Sequence, residues 1–254
     1  MNRVGTYRRT LPVSVERLYE NALDWAHLPY VHPESFGAIA LVESDIDGWR
    51  ARVTTHREDE IEIELRLDRA IRRWITRTLG GRNVGSEVWT HAFPIEPRRT
   101  DIVVDFFSPD LSDDAGAKVG AAFVELYTRL YDQDEAMMLE RQRQLDTRIE
   151  SRRSPEPLVL GRRDEITLPR TAVFNGKVWV IAEVQGALRA YAARCPHMLG
   201  PLAAAALIGT EVQCPWHAFR FDVVTGKCTS GQHYELAPAP QVSIDDNERV
   251  VVGA

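Results

Sequence analysis

The stretch Cys195-Pro-His-Met-Leu-Gly-Pro-Leu202, with Cys214-Pro-Trp-His217 downstream, decides how the C-terminal third of this chain folds. In each segment a histidine follows a cysteine within two or three residues, and sixteen residues separate His197 from Cys214. Thiolates and imidazoles at such spacings are typical metal ligands, and this pattern predicts two loops that close over one metal site. The predicted ligands are Cys195, His197, Cys214 and His217.

This mixture of ligands indicates a Rieske-type [2Fe-2S] cluster, in which two thiolates hold one iron and two neutral imidazoles hold the other. Zinc is the alternative, because it also takes a tetrahedral set of two cysteines and two histidines. The common zinc spacings, however, pair cysteine with cysteine and histidine with histidine. The order in this sequence therefore favours the iron-sulfur cluster.

The segments Cys195–Leu202 and Cys214–Gly226 resemble the Rieske domains of bacterial ferredoxins and of Rieske oxygenases, over about residues 157–254. The resemblance implies that the cysteines hold the inner iron and the histidines the outer one. Respiratory members of this family add a disulfide between the two loops, but Gly200 and Trp216 stand at the matching positions here. Without that disulfide, a reduction potential towards the low end of the Rieske range is expected.

A second segment, Glu20–His32, resembles the Asp-x-x-His-x4-His motif that supplies both histidines to the mononuclear iron of Rieske non-haem oxygenases. His27 and His32 would lie about 140° apart on a regular helix, so the helix must break between them, and Pro29 provides a break. The resemblance implies that both histidines bind Fe(II). It also implies that Asp24 links the mononuclear iron to the cluster of a neighbouring subunit in a trimer.

The same family takes a carboxylate ligand from the long last helix of its catalytic domain, predicted here over about residues 116–149. On a helical projection centred on Leu130, Asp134 falls about 40° away, on the apolar stripe. Asp132 and Glu135 fall at about 200° and 140°, on the solvent side. Because a lone carboxylate on an apolar face is costly unless paired or metal-bound, Asp134 is the expected ligand, with Glu135 as the alternate.

The order of strand, helix, several strands and long helix predicts an α+β domain over residues 1–152, a helix-grip (START-like) fold with an antiparallel sheet. Short strands and tight turns predict an all-β Rieske domain over residues 157–254. The polar, proline-broken segment 150–157 is the predicted linker. Familiar Rieske oxygenases have the two domains in the reverse order.

Composition excludes several other functions. The net charge is −6 and no basic stripe is present, which argues against nucleic acid as a partner. No stretch approaches the roughly 18 apolar residues of a membrane span, so no membrane partner and a cytoplasmic location are expected. Three cysteines are too few for a disulfide framework.

Together these patterns predict an oxidoreductase, a Rieske non-haem iron oxygenase with a [2Fe-2S] cluster and a mononuclear Fe(II). It would take electrons from a reductase or ferredoxin, use O2 to hydroxylate or dealkylate a small organic substrate, and form a homotrimer. The alternative is a Rieske electron carrier fused to a START-like ligand-binding module. In that case Asp134 would pair with an arginine, His27 and His32 would only pack at a helix end, and Asp24 would be a surface acid.

Overall fold

The computed structural model describes residues 1–55, 59–109, 111–147 and 156–253. They form two compact units, Met1–Gln142 and Arg143–Ala254. Most of the predicted linker and the predicted last turn of the long helix lie outside the described residues. The domain boundary at residues 152–157 therefore stays a prediction.

Among the described residues, no helix is both long enough and apolar enough to cross a membrane.

Among the described residues, the first unit contains seven strands, two short helices and most of one long helix. Their bounds are β1 (Asn2–Leu11), α1 (Val15–Leu23), α2 (Leu28–Val31), β2 (Phe36–Asp45), β3 (Gly48–Thr55), β4 (Glu60–Asp68), β5 (Arg73–Gly80), β6 (Glu87–Glu96), β7 (Arg99–Ser108) and α3 (Asp113–Asp146). The strands form one antiparallel sheet in the order β1-β7-β6-β5-β4-β3-β2. A sheet of consecutive strands with one long C-terminal helix is the predicted α+β helix-grip arrangement, and this prediction is confirmed.

Alternating apolar residues give the sheet a buried face. In β4, for example, Ile63, Leu65 and Leu67 are buried, whereas the residues between them are not. Successive side chains of a strand point to opposite faces, so this alternation produces one apolar surface that the long helix α3 covers. At the start of α3 a Cβ on Gly120 would lie 1.9 Å from the Val4 carbonyl oxygen, so only glycine permits this close approach to β1.

The buried side of α3 is turned relative to the predicted stripe. Leu130, the centre of that stripe, is only partly buried, whereas Tyr131 and Met138 are buried. The Tyr127 ring packs edge-on against Phe106 of β7, with ring centroids 4.9 Å apart. A stripe defined by aliphatic residues leaves out the tyrosines, which bury large apolar rings in a core. Asp134 lies on the buried side in either case, since it is 8% exposed.

The second unit consists of nine short strands in three small antiparallel sheets within the described residues. The strands are β8 (Leu158–Arg162), β9 (Arg170–Phe174), β10 (Lys177–Val184), β11 (Ala187–Ala192), β12 (Leu207–Ile208), β13 (Glu211–Gln213), β14 (Arg220–Asp222), β15 (Val242–Ile244) and β16 (Arg249–Val252). Their orders are β11-β10-β9, β12-β13-β14 and β15-β16-β8. The turn Asn175-Gly176, with φ of 49° and 70°, joins β9 to β10 as the two-residue hairpin that the sequence predicts. The all-β prediction for this unit is confirmed.

Candidate metal centres

Two loops of the second unit carry the predicted cluster ligands, and they close in the same way. In the first loop, the Leu199 backbone N–H donates to the Cys195 carbonyl, at 3.0 Å. In the second, the Ala218 N–H donates to the Cys214 carbonyl, at 2.9 Å. Leu199 and Ala218 both have positive φ, 64° and 52°, although neither is glycine. This repeated turn gives both cysteines the same position, whereas His197 is the second residue after its cysteine and His217 is the third.

The four side chains meet as two pairs. Nδ1 of His197 lies 3.4 Å from Nδ1 of His217, and the thiols of Cys195 and Cys214 are hydrogen-bonded to each other. This hydrogen bond raises the pKa of Cys195 and lowers that of Cys214. Thiol paired with thiol and imidazole paired with imidazole is the arrangement that a Rieske cluster requires. The donor set thus fits a [2Fe-2S] cluster.

Gly200 leaves room for the cysteine of the opposite loop. A Cβ at this position would lie 2.6 Å from Cys214 Sγ and 3.2 Å from the Trp216 ring. The Trp216 ring of one loop thus lies against Gly200 of the other, and neither position carries a cysteine.

We expect Gly200→Ala to lower the fraction of chains that assemble the cluster, because the added methyl group collides with a ligand sulfur. The measurement is iron and acid-labile sulfide per chain, with the visible spectrum. The control is Gly253→Ala, since a Cβ at Gly253 meets nothing within 4 Å. Equal cluster content in both variants would contradict the steric argument.

The histidine segment of the first unit breaks earlier than predicted. Helix α1 ends at Leu23, Asp24 is its C-cap, and a 3-10 turn over Trp25–His27 follows. Pro29 does not end the helix, because it stands in the first turn of α2, where a missing backbone donor is tolerated. His27 thus ends the 3-10 turn, and His32 is the C-cap of α2.

This interrupted path brings His27 and His32 to Asp134 of α3. One potential ligand atom from each residue lies within 4.8 Å of the other two. Asp134 Oδ1 is 3.3 Å from Nε2 of His27 and 3.0 Å from Nε2 of His32. All three side chains are buried. The structure therefore places the three residues that the sequence singled out at one point.

Hydrogen bonds fix the orientation of all three groups. The Nδ1 of His27 contacts the backbone carbonyl of Asp24, and Nδ1 of His32 donates to Gln133 Oε1 at 2.7 Å. The Asn21 amide donates to Asp134 Oδ1 at 3.0 Å. Both imidazoles therefore direct Nε2 towards the carboxylate, which is how second-layer partners orient metal-binding histidines.

Asn21 and Gln133 are not among the site residues that the sequence predicts. A signal existed for Asn21, because it follows Val15 and Leu18 at helical spacing and all three are buried. Gln133 offered no such signal, because its role depends on the position of His32, a hundred residues away in the chain.

The charges within this group are strongly coupled. Burial lowers the pKa of His27, but the nearby carboxylates of Asp134 and Asp24 outweigh burial and raise it to about 10. Burial also raises the pKa of Asp134, yet its contacts with His27 and His32 hold it well below its usual range. The carboxylate therefore stays ionised in a buried position, and a cation beside it offsets the cost of that burial.

One buried atom of the group has no hydrogen-bond partner among the residues that the structure describes. This atom is Nε2 of His27, which lies at ion-pair distance from Asp134 Oδ1, 3.3 Å, but forms no hydrogen bond of good geometry. Such atoms are rare in folded proteins and call for an explanation, for which a bound ion is one candidate.

The alternate carboxylate is engaged elsewhere. Arg9 of β1 forms ion pairs with Glu135 at 2.7 Å and with Asp132 at 2.5 Å. Asp134, in contrast, contacts no arginine within the described part of the chain; its side-chain partners there are Asn21, His27 and His32. The geometry thus favours Asp134 over Glu135 as a ligand, and the proposed link from Asp24 to the cluster stays a prediction.

Two family models match this chain. Residues 157–240 match the Rieske [2Fe-2S] domain, and residues 12–78 match the vanillate O-demethylase oxygenase C-terminal domain. The first range contains all four predicted cluster ligands. The second contains Asp24, His27 and His32.

A curated relative is the ferredoxin component of naphthalene 1,2-dioxygenase/salicylate 5-hydroxylase systems from Ralstonia sp., 42% identical over 57 residues, or 22% of this chain. This chain spans about half of that relative's length, 55%. Among solved structures, the Zhui aromatase/cyclase from Streptomyces sp. R1128 is 18% identical, with 56% of this chain and 96% of that chain covered and a TM-score of 0.45. The ferredoxin of carbazole 1,9a-dioxygenase from Nocardioides aromaticivorans IC177 is 23% identical, with 38% and 96% covered and a TM-score of 0.34. The family matches support a Rieske [2Fe-2S] cluster in the second unit, and they relate part of the first unit to an oxygenase domain.

Proposed function

We propose that this chain is a Rieske non-haem iron oxygenase. Its [2Fe-2S] cluster would be held by Cys195, Cys214, His197 and His217, and a mononuclear Fe(II) by His27, His32 and Asp134. The convergence of these last three buried residues is the observation that carries the proposal.

Two histidines and one carboxylate are the ligand set of the facial triad found in non-haem Fe(II) oxygenases, which leaves open coordination positions. The Nε2 of His27, which forms no hydrogen bond within the described residues, supports a cation at this point. Because Nδ1 of each histidine faces an acceptor, a bound metal would replace the proton on Nε2 and take its lone pair.

Bound Fe(II) would supply the one-electron and O2 chemistry that side chains lack, here for hydroxylation or dealkylation of a small organic substrate. The residues of the chain would hold the iron and orient its ligands. Gln133 fixes the ring of His32, Asn21 fixes the Asp134 carboxylate, and the Asp24 carbonyl fixes the ring of His27. The proposal also assigns to Asp24 the coupling of the two metal centres.

We also propose an electron donor, a location, an oligomeric state and domain bounds for this protein. A reductase or ferredoxin would donate electrons to the cluster in the cytoplasm. The chain would work as a homotrimer, with the catalytic domain over residues 1–152 and the Rieske domain over residues 157–254.

A second candidate is a Rieske electron carrier fused to a START-like ligand-binding module. The match to the ferredoxin component from Ralstonia sp. favours this candidate, since that relative is named as a ferredoxin. In this case the three buried residues of the first unit would form a hydrogen-bonded cluster without a metal.

Iron content separates the two candidates. After anaerobic reconstitution with Fe(II) and sulfide, the oxygenase should hold about three irons and two labile sulfides per chain, because one iron lies outside the cluster. The carrier should hold about two of each. A ratio of iron to sulfide near one, together with no O2 uptake by the reduced protein with any candidate substrate, would contradict the oxygenase proposal.

A further inference from the structure

Two aromatic side chains that ligate nothing pack against the imidazoles of the cluster site. The Phe219 ring centroid lies 5.0 Å from that of His197 and 5.6 Å from that of His217. Tyr234 lies 5.1 Å from His197, and it stacks on Phe219 at 5.7 Å with an interplanar angle of 25°. We call Phe219 and Tyr234 the aromatic cover.

The backbone holds both members of the aromatic cover in place. The carbonyl of Phe219 accepts the backbone N–H of Cys214 at 2.8 Å, so its position is tied to a cluster ligand. The carbonyl of Tyr234 accepts the backbone N–H of Cys228 at 3.2 Å. Two separate segments of the chain thus place an aromatic ring beside His197.

The aromatic cover is more exposed than His217. Tyr234 is 36% exposed, Phe219 and His197 are partly buried, and His217 is 3% exposed. The rings thus form an apolar layer next to the imidazoles, on the half of the site where the histidine-bound iron would lie.

We propose that Phe219 and Tyr234 are positioning residues that lower the reduction potential of the cluster by keeping water away from its histidine-bound iron. The inference rests on the [2Fe-2S] assignment and is independent of the mononuclear site.

The direction follows from the charge of the cluster. Two ferric ions, two sulfides, two thiolates and two neutral imidazoles sum to zero, and uptake of one electron gives a charge of −1. An apolar surrounding disfavours the charged form, so it disfavours reduction and lowers the potential. Water admitted by loss of a ring stabilises the reduced form and raises the potential.

The test is a redox titration of the whole purified chain with a soluble one-electron mediator, followed by visible absorption and by EPR of the reduced cluster. We expect Tyr234→Ala and Phe219→Ala each to raise the midpoint potential, and the double variant to raise it further. Tyr234→Phe keeps the ring and Phe219→Leu keeps an apolar side chain. Both variants should have the same midpoint potential as the parent protein.

The exposed position of Tyr234 keeps the experiment decisive, because substitutions at a surface ring seldom prevent folding. If Phe219→Ala loses the cluster, the comparison of Tyr234→Ala with Tyr234→Phe is enough to test the proposal. A Tyr234→Ala protein with full cluster content and the parent's potential overturns the proposal, and so does an equal shift in Tyr234→Phe. A parent protein without a Rieske EPR signal would instead refute the cluster assignment itself.

Discussion

Replacement of Cys214 by serine is expected to abolish the [2Fe-2S] cluster. In the proposed cluster Cys214 would supply one of only two thiolates on its iron, and the residue is fully buried. A serine hydroxyl does not offer the soft thiolate that iron-sulfur clusters require. The variant should lose the visible absorption and the EPR signal, together with about two irons per chain.

The third cysteine provides a matched control for this experiment. Cys228 is only partly buried, and its thiol contacts Ser230 and Gln232 rather than a cluster ligand. Cys228→Ser should therefore keep the full spectrum. An unchanged spectrum in Cys214→Ser, or its loss in both variants, would disprove the ligand assignment.

Local patterns account for what the sequence could predict. The alternation in β4 and the Asn175-Gly176 turn depend on near neighbours in the chain, so strands and hairpins follow from them. The inward position of Asp134 follows from the helical period, which tolerates an error in the centre of the stripe. Asp134 lies on the buried side whether Leu130 or Tyr131 marks the middle.

Features that depend on distant contacts could not be predicted in the same way. Pro29 suggested where the helix breaks, yet the break falls at Asp24, whose backbone contacts His27. A proline early in a new helix and a proline ending an old one look alike in sequence. The interaction of Gln133 with His32, and that of Arg9 with Glu135, joins residues more than a hundred positions apart, so only the fold reveals them.

The two candidate centres use one physical device. In each, potential ligand atoms converge and neighbouring groups contact the imidazoles: Phe219 and Tyr234 at the cluster site, Gln133 and the Asp24 carbonyl at the other. Such supporting groups tune a bound metal without touching it. Substitution of a ligand should therefore empty a site, whereas substitution of a supporting residue should change its properties.

The largest effect in the first unit is expected from Asp134→Ala. This change removes the only carboxylate within reach of both His27 and His32 among the described residues, and with it the negative charge that a cation requires. The iron content should fall from about three to about two per chain, with the Rieske spectrum unchanged, because the cluster ligands belong to the other compact unit. Substrate-dependent O2 uptake should be lost.

Two control variants show what an Asp134→Ala result means. Glu135→Ala removes the neighbouring carboxylate, which pairs with Arg9, so iron content and O2 uptake should stay at the parent level.

Asp24→Asn removes no proposed ligand and should keep both metals, but it should slow reoxidation of the reduced cluster by O2 if Asp24 couples the centres. Circular dichroism checks that each variant is folded, since loss of a buried hydrogen-bonded group costs about 1–3 kcal/mol. If Asp134→Ala keeps three irons while Glu135→Ala loses one, the carboxylate ligand is Glu135, and Asp134 is not a ligand.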